Sequence, residues 1–269
     1  MIRLLLFSLV LASTAVAQSS VEGPLGRVLD ATVDRTGRVD YGRLAGSSRA
    51  DLDAALAAIA SQSPSALRSD AQKTAFLVNA YNAHVLDRVL DHPRATHIER
   101  ADLFDELFET PVRVAGLSMT LNQLEHGILR GQSRVDGAAV SRSLRALRPS
   151  RLDARIHAAL NCAAISCPPL QRRAFRSSTL DRDLDRTFSA WTGSDRAARV
   201  DGRRVVVSSL FDWFASDFEA GQDLGDAILA AMPSSRRSAF RPRLAGKSAA
   251  QLRSDRSVSF AYDWTINRR

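Results

Sequence analysis

Residues 75–86 read Ala75-Phe76-Leu77-Val78-Asn79-Ala80-Tyr81-Asn82-Ala83-His84-Val85-Leu86. The side chains of this stretch are apolar on nearly every side of a helix, which is typical of a helix that is buried all round. Ser69 and Gln72 precede it in the Ser-x-x-Gln capping-box pattern, and Pro93 marks its far limit. The sequence therefore predicts a long helix at the centre of the fold.

Shorter helices are predicted on both sides of this one. Apolar residues recur at helical spacing over residues 24–33, 51–60, 178–191 and 224–232. Thr120 and Gln123 form a second capping box, which predicts a helix that begins at Leu121. Most of the chain is therefore expected to be helical.

The predicted strands are few and short. Ala115-Gly116 and Asp201-Gly202 each lie between two short extended runs, a pattern that favours a β-hairpin. Apolar and polar residues alternate over 258–266, which predicts a closing strand. Residues 132–150 have no clear periodic pattern of apolar residues and are predicted to be a surface connection. We therefore expect the α+β class: a mostly helical single domain over residues 18–269, with a few short antiparallel strands and hairpins.

The first 17 residues are typical of a signal peptide. Arg3 is followed by an apolar run from Leu4 to Ala12, and Ala15 and Ala17 form an Ala-x-Ala cleavage site. The run is short for a bilayer span, which needs about 20 apolar residues. No later segment is long and apolar enough to span a membrane, so we predict a periplasmic or secreted protein with no membrane span after cleavage.

The net charge is +8, from 37 basic and 29 acidic residues. Only Lys73 and Lys247 are lysines, so 35 of the basic residues are arginines. Arginine is scattered and interleaved with aspartate, as at residues 181–186, whereas nucleic-acid-binding proteins gather their cations on one face. This pattern predicts a solvated, salt-bridged surface and no nucleic-acid partner, and it leaves open a weak attraction to anionic envelope polymers.

The segment from His157 to Cys167 is the best candidate for chemistry. A thiolate attacks carbonyl carbons well, and imidazole is the usual group that takes its proton. Asn161 as a helix N-cap would place Cys162 at the first helical position, where backbone N–H groups lower the pKa of a thiol. Papain-like and transglutaminase-like enzymes hold their nucleophile in this way, but their histidine usually follows the cysteine, and no histidine follows Cys162.

A disulfide between Cys162 and Cys167 is the alternative, because an even, close-set pair in an oxidising compartment favours a bridge. A fully helical segment would hold the two Cα atoms about 8–9 Å apart, whereas a bridge needs less than about 7 Å. Helix and bridge therefore exclude each other. A pair that cycles between the bonded and free states is a third alternative.

Two asparagines of the central helix, Asn79 and Asn82, lie on one face within apolar surroundings. A buried amide is costly unless it is hydrogen-bonded. Both could bond to the backbone of a neighbouring loop, or one could donate a hydrogen bond to an oxyanion or a substrate carbonyl.

Glu125 and His126 are adjacent on the second capped helix and point about 100° apart. Either could reach residues 157–167: Glu125 to orient His157, or His126 to act as the base itself. Both could equally be ordinary charges on a surface helix. We predict no metal site, because His157-x4-Cys162-x4-Cys167 is not a common zinc spacing, and no cofactor. The aromatic residues Trp213, Phe214, Phe218 and Trp264 are predicted to be core.

Four segments, taken together and in order, resemble a known family. They are residues 79–82, 121–130, 155–170 and 262–267. The family is the domain of unknown function 547, and the resemblance covers about residues 70–269. It implies export in bacteria and no assigned reaction. Members typically have Asp-Pro-Arg before the Ile-His pair, whereas this chain has Asp153-Ala154-Arg155, which removes the rigidity that a proline gives that loop.

Two functional hypotheses follow. In the first, the protein is a cysteine-dependent hydrolase or acyl transferase that acts on an envelope or extracellular amide or ester. Cys162 is then the nucleophile, His157 the base, Glu125 the group that orients His157 and Asn82 the oxyanion donor, while Asn79, His126, Asn161 and Cys167 contact the substrate. In the second, the protein is a non-catalytic binding module that is held by a Cys162–Cys167 bridge and recognises a small molecule, peptide or glycan near Asn79 and Asn82.

Overall fold

The computed structural model describes residues 20–99, 103–219 and 221–269. The predicted signal peptide lies outside these residues. The helices are α1 (Glu22–Thr32), α2 (Tyr41–Ala45), α3 (Arg49–Ser61), α4 (Asp70–Asp91), α5 (Leu103–Glu109), α6 (Arg142–Arg145), α7 (Leu180–Thr192), α8 (Ser209–Trp213), α9 (Ala215–Glu219), α10 (Leu224–Ala231), α11 (Ser234–Leu244) and α12 (Ala249–Ser254). A π-helix spans Gln123–Leu129, and 3₁₀ turns span Pro64–Ala66, Ala154–Ala158 and Ser177–Thr179.

The long helix α4 lies at the centre, as predicted. Ser69 accepts a hydrogen bond from the Gln72 amide while the Gln72 side chain bonds back to Ser69, so both halves of the capping box form. Every residue from Thr74 to Leu86 is buried. Because no face of this segment meets water, α3, α5 and the π-helix can all pack against it.

Within the described ranges, seven short strands form three sheets. The strands are β1 (Val112–Val114), β2 (Leu117–Met119), β3 (Arg134–Val135), β4 (Ala138–Ala139), β5 (Ala198–Asp201), β6 (Arg204–Ser208) and β7 (Val258–Ala261). The β1–β2 and β5–β6 hairpins confirm the predicted turns at Ala115-Gly116 and Asp201-Gly202. The mostly helical α+β class is therefore confirmed.

The sequence prediction was wrong about three details of the strands. Residues 132–150, predicted to be a featureless connection, contain the β3–β4 hairpin, whose strands have two residues each. Strand β7 ends at Ala261 rather than Ile266, and it pairs parallel with β6, so the strands are not all antiparallel. Two-residue strands are too short to show an alternating pattern, and a pairing between β6 and β7 joins residues about 50 positions apart, which no local pattern records.

The buried side chains form two clusters. The larger one surrounds α4 and includes the packed faces of α1, α3 and the π-helix. The smaller one lies between α7, α10, α11 and the β5–β6–β7 sheet, with Trp191 and Phe211 stacked at its centre. Tyr262 packs against both clusters. The cavity described below lies where the two clusters meet.

The C-terminal residues join distant parts of the chain. The amide of Ile266 donates to Thr96 O at 2.8 Å, that of Asn267 to Ala163 O at 2.7 Å and that of Arg269 to Val39 O at 2.9 Å. This segment therefore holds the loop that contains Cys162 against the N-terminal part of the fold. None of the helices in the described ranges combines the length and the apolar character that a bilayer span requires.

Candidate functional site

A cavity of about 470 Å³ opens where the two clusters meet. Its volume lies within the range of small-molecule sites, about 300–1,000 Å³. Seven aromatic side chains line it, and we call this space the aromatic cavity: Tyr81, Phe104, Phe108, Trp213, Phe214, Tyr262 and Trp264. The polar residues that also line it come from the π-helix and the residues beside it, the 3₁₀ turn at 154–158 and the loop that follows.

Three of the aromatic rings form one continuous wall. The ring centroids of Trp213 and Tyr262 are 4.9 Å apart, those of Tyr262 and Trp264 are 4.6 Å apart, and Trp213 stacks on Trp264 at 5.6 Å. Trp213 is 47% exposed and Phe104 is 37% exposed. The prediction that Trp213 is a core residue was wrong, because its ring is exposed at the cavity. Trp264 and Phe214 also line the cavity but are half-buried and pack against the core clusters, and Phe218 is buried as predicted.

The π-helix supplies the polar side of the cavity. Thr120 and Gln123 form the predicted capping box, but the helix then widens, and the amide of Arg130 donates to the carbonyl of Glu125 at 2.9 Å. Short π-helical segments occur most often at functional sites, where they change which side chains share a face. Here Glu125, His126 and Arg130 all line the aromatic cavity.

Asp217, which the sequence analysis did not single out, is the electrostatic centre of one wall. Its Oδ2 accepts from Arg130 Nε at 2.5 Å and lies 2.8 Å from His157 Nε2, while its Oδ1 accepts from Arg130 Nη2 at 3.1 Å. Burial by itself would raise the pKa of Asp217, but the hydrogen bonds from His157 and Arg130, together with the positive charge of Arg130, hold it well below the usual range. Asp217 is therefore a fixed anion.

His157 is held tightly and makes no described hydrogen bond to either sulfur. Its side chain is 1% exposed and its ring stacks on Phe214, with the centroids 4.1 Å apart. Nε2 bonds to Asp217, and the described hydrogen bonds of Cys162 do not include the His157 ring. Asp217, and not Glu125, therefore orients His157.

The tautomer of His126 follows from its neighbour. Arg130 Nη1 lies 3.1 Å from His126 Nδ1, and a guanidinium can only donate. Nδ1 must therefore accept, so that the proton of the neutral ring is on Nε2. His126 thus offers a hydrogen-bond donor rather than a free basic nitrogen on its Nε2 side.

Glu125 lies next to two buried phenols. Burial is the main cause that raises the pKa of Tyr81 and of Tyr262, and the negative charge of Glu125 raises the pKa of both further. Both phenols therefore keep their protons. Glu125 makes no ion pair with any described residue, whereas Arg130 is already paired with Asp217. The aromatic cavity thus contains a carboxylate without a basic partner among the described residues.

Cys162 and Cys167 form a disulfide, which is the alternative to the free thiol that the sequence left open. Their Cα atoms are 6.3 Å apart, and residues 162–167 are not helical. The prediction that Cys162 begins a helix was therefore wrong, because the bridge requires a tighter turn. The hydroxyl of Tyr262 lies 3.0 Å from each sulfur. Both cysteines line the aromatic cavity.

The three predicted asparagines are bonded within the protein. Asn79 donates to Phe175 O and accepts from its amide, while Asn82 donates to Ala159 O and accepts from the amide of Asn161. Asn161 in turn donates to Pro168 O. None of the three lines the aromatic cavity. These side chains fix the backbone of residues 159–175 against α4, and the structure does not bring Asn82 to the sulfurs as an oxyanion donor.

The predicted site residues divide into those that line the aromatic cavity and those that do not. Five of them line it: Cys162, Cys167, His157, Glu125 and His126. The three asparagines do not.

Three further residues, Arg130, Tyr262 and Asp217, were not predicted as site residues. Arg130 and Tyr262 stand within the quoted segments 121–130 and 262–267, so their position was a usable signal; Asp217 stands in none of them. Within the described residues, no cluster of three or more histidine, cysteine or carboxylate side chains could hold a metal ion.

Residues 64–191 match the family model described as "Protein of unknown function, DUF547". The matched range includes α4, the π-helix and the Cys162–Cys167 loop, while Asp217, Trp213 and Tyr262 lie beyond it. No curated protein and no solved structure matches the chain.

Proposed function

Because this chain belongs over residues 64–191 to the DUF547 family, whose description assigns no reaction, we propose a function from the chemistry of the cavity: an exported protein that binds an organic cation in the aromatic cavity. Export is proposed on residues 1–17 alone. The observation that carries the binding function is the Glu125 carboxylate, which shares a cavity with seven aromatic rings and makes no ion pair among the described residues.

Physical chemistry favours such a ligand. The faces of tryptophan and tyrosine rings attract a cation within about 6 Å of the ring centroid, with a gain of about 0.5–2 kcal/mol. The carboxylate of Glu125 adds a Coulombic attraction that is stronger in a cavity shielded from water than on an open surface. An ammonium group surrounded by apolar atoms can satisfy both kinds of contact at once, whereas an anion would meet the negative faces of the rings.

A matched pair of probes tests the charge. Choline and 3,3-dimethylbutanol have nearly the same shape and differ in the positive charge. Isothermal titration calorimetry on the purified protein is expected to show about tenfold tighter binding of choline. Glu125→Gln should reduce that preference, because only the ring faces then favour the cation, and Trp213→Ala should weaken both probes because it removes a ring surface.

The control is Glu109→Gln, which makes the same substitution at an exposed residue outside the cavity and should leave both affinities unchanged. Equal affinity for the two probes, or a choline preference that is undiminished in Glu125→Gln, would refute the proposal.

The cysteine-dependent hydrolase or acyl transferase is the second candidate. The observation that favours it is that Cys162, which is half-buried, lines the same cavity as Glu125 and His126. Such an enzyme would be active only after reduction of the bridge, since the thiolate is the nucleophile. Ester hydrolysis that appears on reduction and disappears in Cys162→Ala would support it; hydrolysis that is unchanged by reductant and by Cys162→Ala would exclude it.

A further inference from the structure

The bridge is not buried beneath the aromatic cavity but forms part of its surface. Both cysteines line the cavity, and they differ in exposure: Cys162 is half-buried, whereas Cys167 is 2% exposed. A molecule that enters the cavity therefore meets the sulfur of Cys162 first. The two sulfurs of the bridge are not equivalent toward a reagent from solvent, and the difference in access decides which one is attacked.

The surroundings of Cys167 suit it as a leaving group. The amide of Cys162 donates to Cys167 Sγ at 2.9 Å, and the hydroxyl of Tyr262 lies 3.0 Å from the same sulfur. A thiolate released at Cys167 would keep both donors. Hydrogen bonds that favour a thiolate lower the pKa of the thiol, and a thiol of lower pKa leaves faster in thiol–disulfide exchange.

The donors are fixed in position before any reaction occurs. Asn161 Oδ1 accepts from the amide of Ala163 at 3.0 Å and from the side chain of Asn267 at 3.0 Å, and Asn161 Nδ2 donates to Pro168 O at 2.9 Å. These bonds hold both ends of the loop without help from the sulfurs. The loop can therefore keep its shape when the bridge opens, and the bridge can form again.

Tyr262 remains a donor throughout. Burial raises its pKa well above the usual value, and the charge of Glu125 raises it further, so the phenol stays protonated at any pH where thiols ionise. Its role is to donate a hydrogen bond to the departing sulfur. It therefore positions and stabilises that sulfur, and it does not transfer its proton.

From this geometry we infer that the Cys162–Cys167 bridge undergoes thiol–disulfide exchange with small aminothiols, with Cys162 Sγ as the attacked atom and Cys167 as the leaving thiolate. The choice of an aminothiol follows from the proposed function, since the ammonium group would lie against Glu125 and the aromatic rings while the sulfur reaches Cys162. The exchange itself follows from the sulfurs alone.

The exchange proceeds in two steps that conserve atoms and electrons. The thiolate of the small molecule attacks Cys162 Sγ, a new S–S bond forms, and the electron pair of the old bond goes to Cys167 as a thiolate. A second thiolate then attacks the outer sulfur of the mixed disulfide, which releases an oxidised dimer of the small molecule and leaves Cys162 as a thiolate. In sum the bridge gains two electrons and two small thiols lose one each.

The experiment treats the oxidised protein with millimolar cysteamine, stops the reaction with acid, alkylates the free thiol and locates both groups by peptide mass spectrometry. Cysteamine is expected on Cys162 and the alkyl group on Cys167. Tyr262→Phe should slow the opening about tenfold, as expected for one lost hydrogen bond to a charged acceptor. Thr32→Val, which removes a buried hydroxyl outside the cavity that bonds only within α1, should leave the rate unchanged.

An adduct on Cys167, an unchanged rate in Tyr262→Phe, or a bridge that opens only when circular dichroism shows unfolding would overturn the inference. A charge series separates it from the proposed function. Cysteamine, mercaptoethanol and mercaptoacetate are compared at equal thiolate concentration, and the expected rates fall in that order. Equal rates with the adduct on Cys162 would retain the exchange and reject the organic-cation proposal, whereas choline binding without exchange would do the reverse.

Discussion

At the scale of single residues, Asp217 shows how one buried anion organises a wall of the site. Its side chain is 9% exposed, that of Arg130 is 8% exposed, and that of His157 is 1% exposed. Removing three such groups from water is costly, and the cost is recovered only because each charge keeps a partner. Loss of one member therefore leaves the others buried without compensation.

We expect Asp217→Asn to lower the free energy of unfolding by about 3–5 kcal/mol at pH 7, the usual cost of breaking a buried pair. The folded-state pKa of Asp217 is depressed, so its contribution is fully present above the ordinary carboxyl pKa of about 3.9 and is lost as the pH falls below that value. Urea unfolding at a series of pH values should show the two proteins converging at low pH.

The matched control is Asp181→Asn, which also removes a carboxylate paired with an arginine but at a side chain that is 85% exposed. A surface pair of this kind contributes about 0–1 kcal/mol. A difference between Asp217→Asn and the native protein that stays constant down to strongly acidic pH would contradict the ion-pair explanation.

At the scale of elements, the π-helix and the short helices decide which side chains can meet. The widened turns of Gln123–Leu129 bring Glu125, His126 and Arg130 to one cavity, whereas an α-helix would turn Glu125 and His126 about 100° apart. The helices of the smaller cluster pack so closely that one of them, α10, requires a residue without a side chain.

Two glycines inside helices are expected to respond oppositely to the same substitution. A Cβ at Gly225 of α10 would lie 1.8 Å from the carbonyl oxygen of Leu244, so Gly225→Ala should cost more than about 3 kcal/mol. A Cβ at Gly26 of α1 would meet nothing within 4 Å, so Gly26→Ala should stabilise the protein by about 0.5–1 kcal/mol.

Thermal or urea unfolding of both variants checks the pair. The measurement compares helix propensity, which is common to both sites, with steric contact, which only Gly225 has. If Gly225→Ala were as stable as Gly26→Ala, the packing between α10 and the end of α11 would have to differ from the structure.

At the scale of the whole molecule, the C-terminal segment connects parts of the chain that are far apart in sequence. Asn267 is 2% exposed; its side-chain nitrogen donates to Asn161 at 3.0 Å and its oxygen accepts from the hydroxyl of Tyr41 at 2.9 Å. One residue thus joins the N-terminal part of the fold to the loop that holds the bridge.

Asn267→Ala is therefore expected to lower stability by about 2–3 kcal/mol, because two buried hydrogen bonds are lost and the hydroxyl of Tyr41 keeps no described partner. Tyr41→Phe should cost less, about 1 kcal/mol, since only one bond is lost. The double variant should cost less than the sum, because both changes remove the same bond. Additive losses in urea unfolding would show that the two residues are not coupled.

Much of the fold could be predicted from sequence because its signals are local. The capping box at Ser69 and Gln72 and the apolar stretch 75–86 fix the start and the burial of α4 through interactions within a few residues. The two predicted hairpins depend in the same way on turn residues between adjacent strands. The parallel pairing of β6 with β7 has no such local signal.

Patterns in the sequence were enough to predict the α+β class, the central helix and a set of site residues. Five of those residues meet in one cavity: Cys162, Cys167, His157, Glu125 and His126. Three contacts depend on the tertiary structure: Asp217 orients His157, Tyr262 contacts both sulfurs, and Asn82 bonds to the backbone. The reason is physical. Patterns along a chain report energies between near neighbours, whereas these contacts join residues 60 to 100 positions apart, and the packing of the two clusters alone brings them within bonding distance.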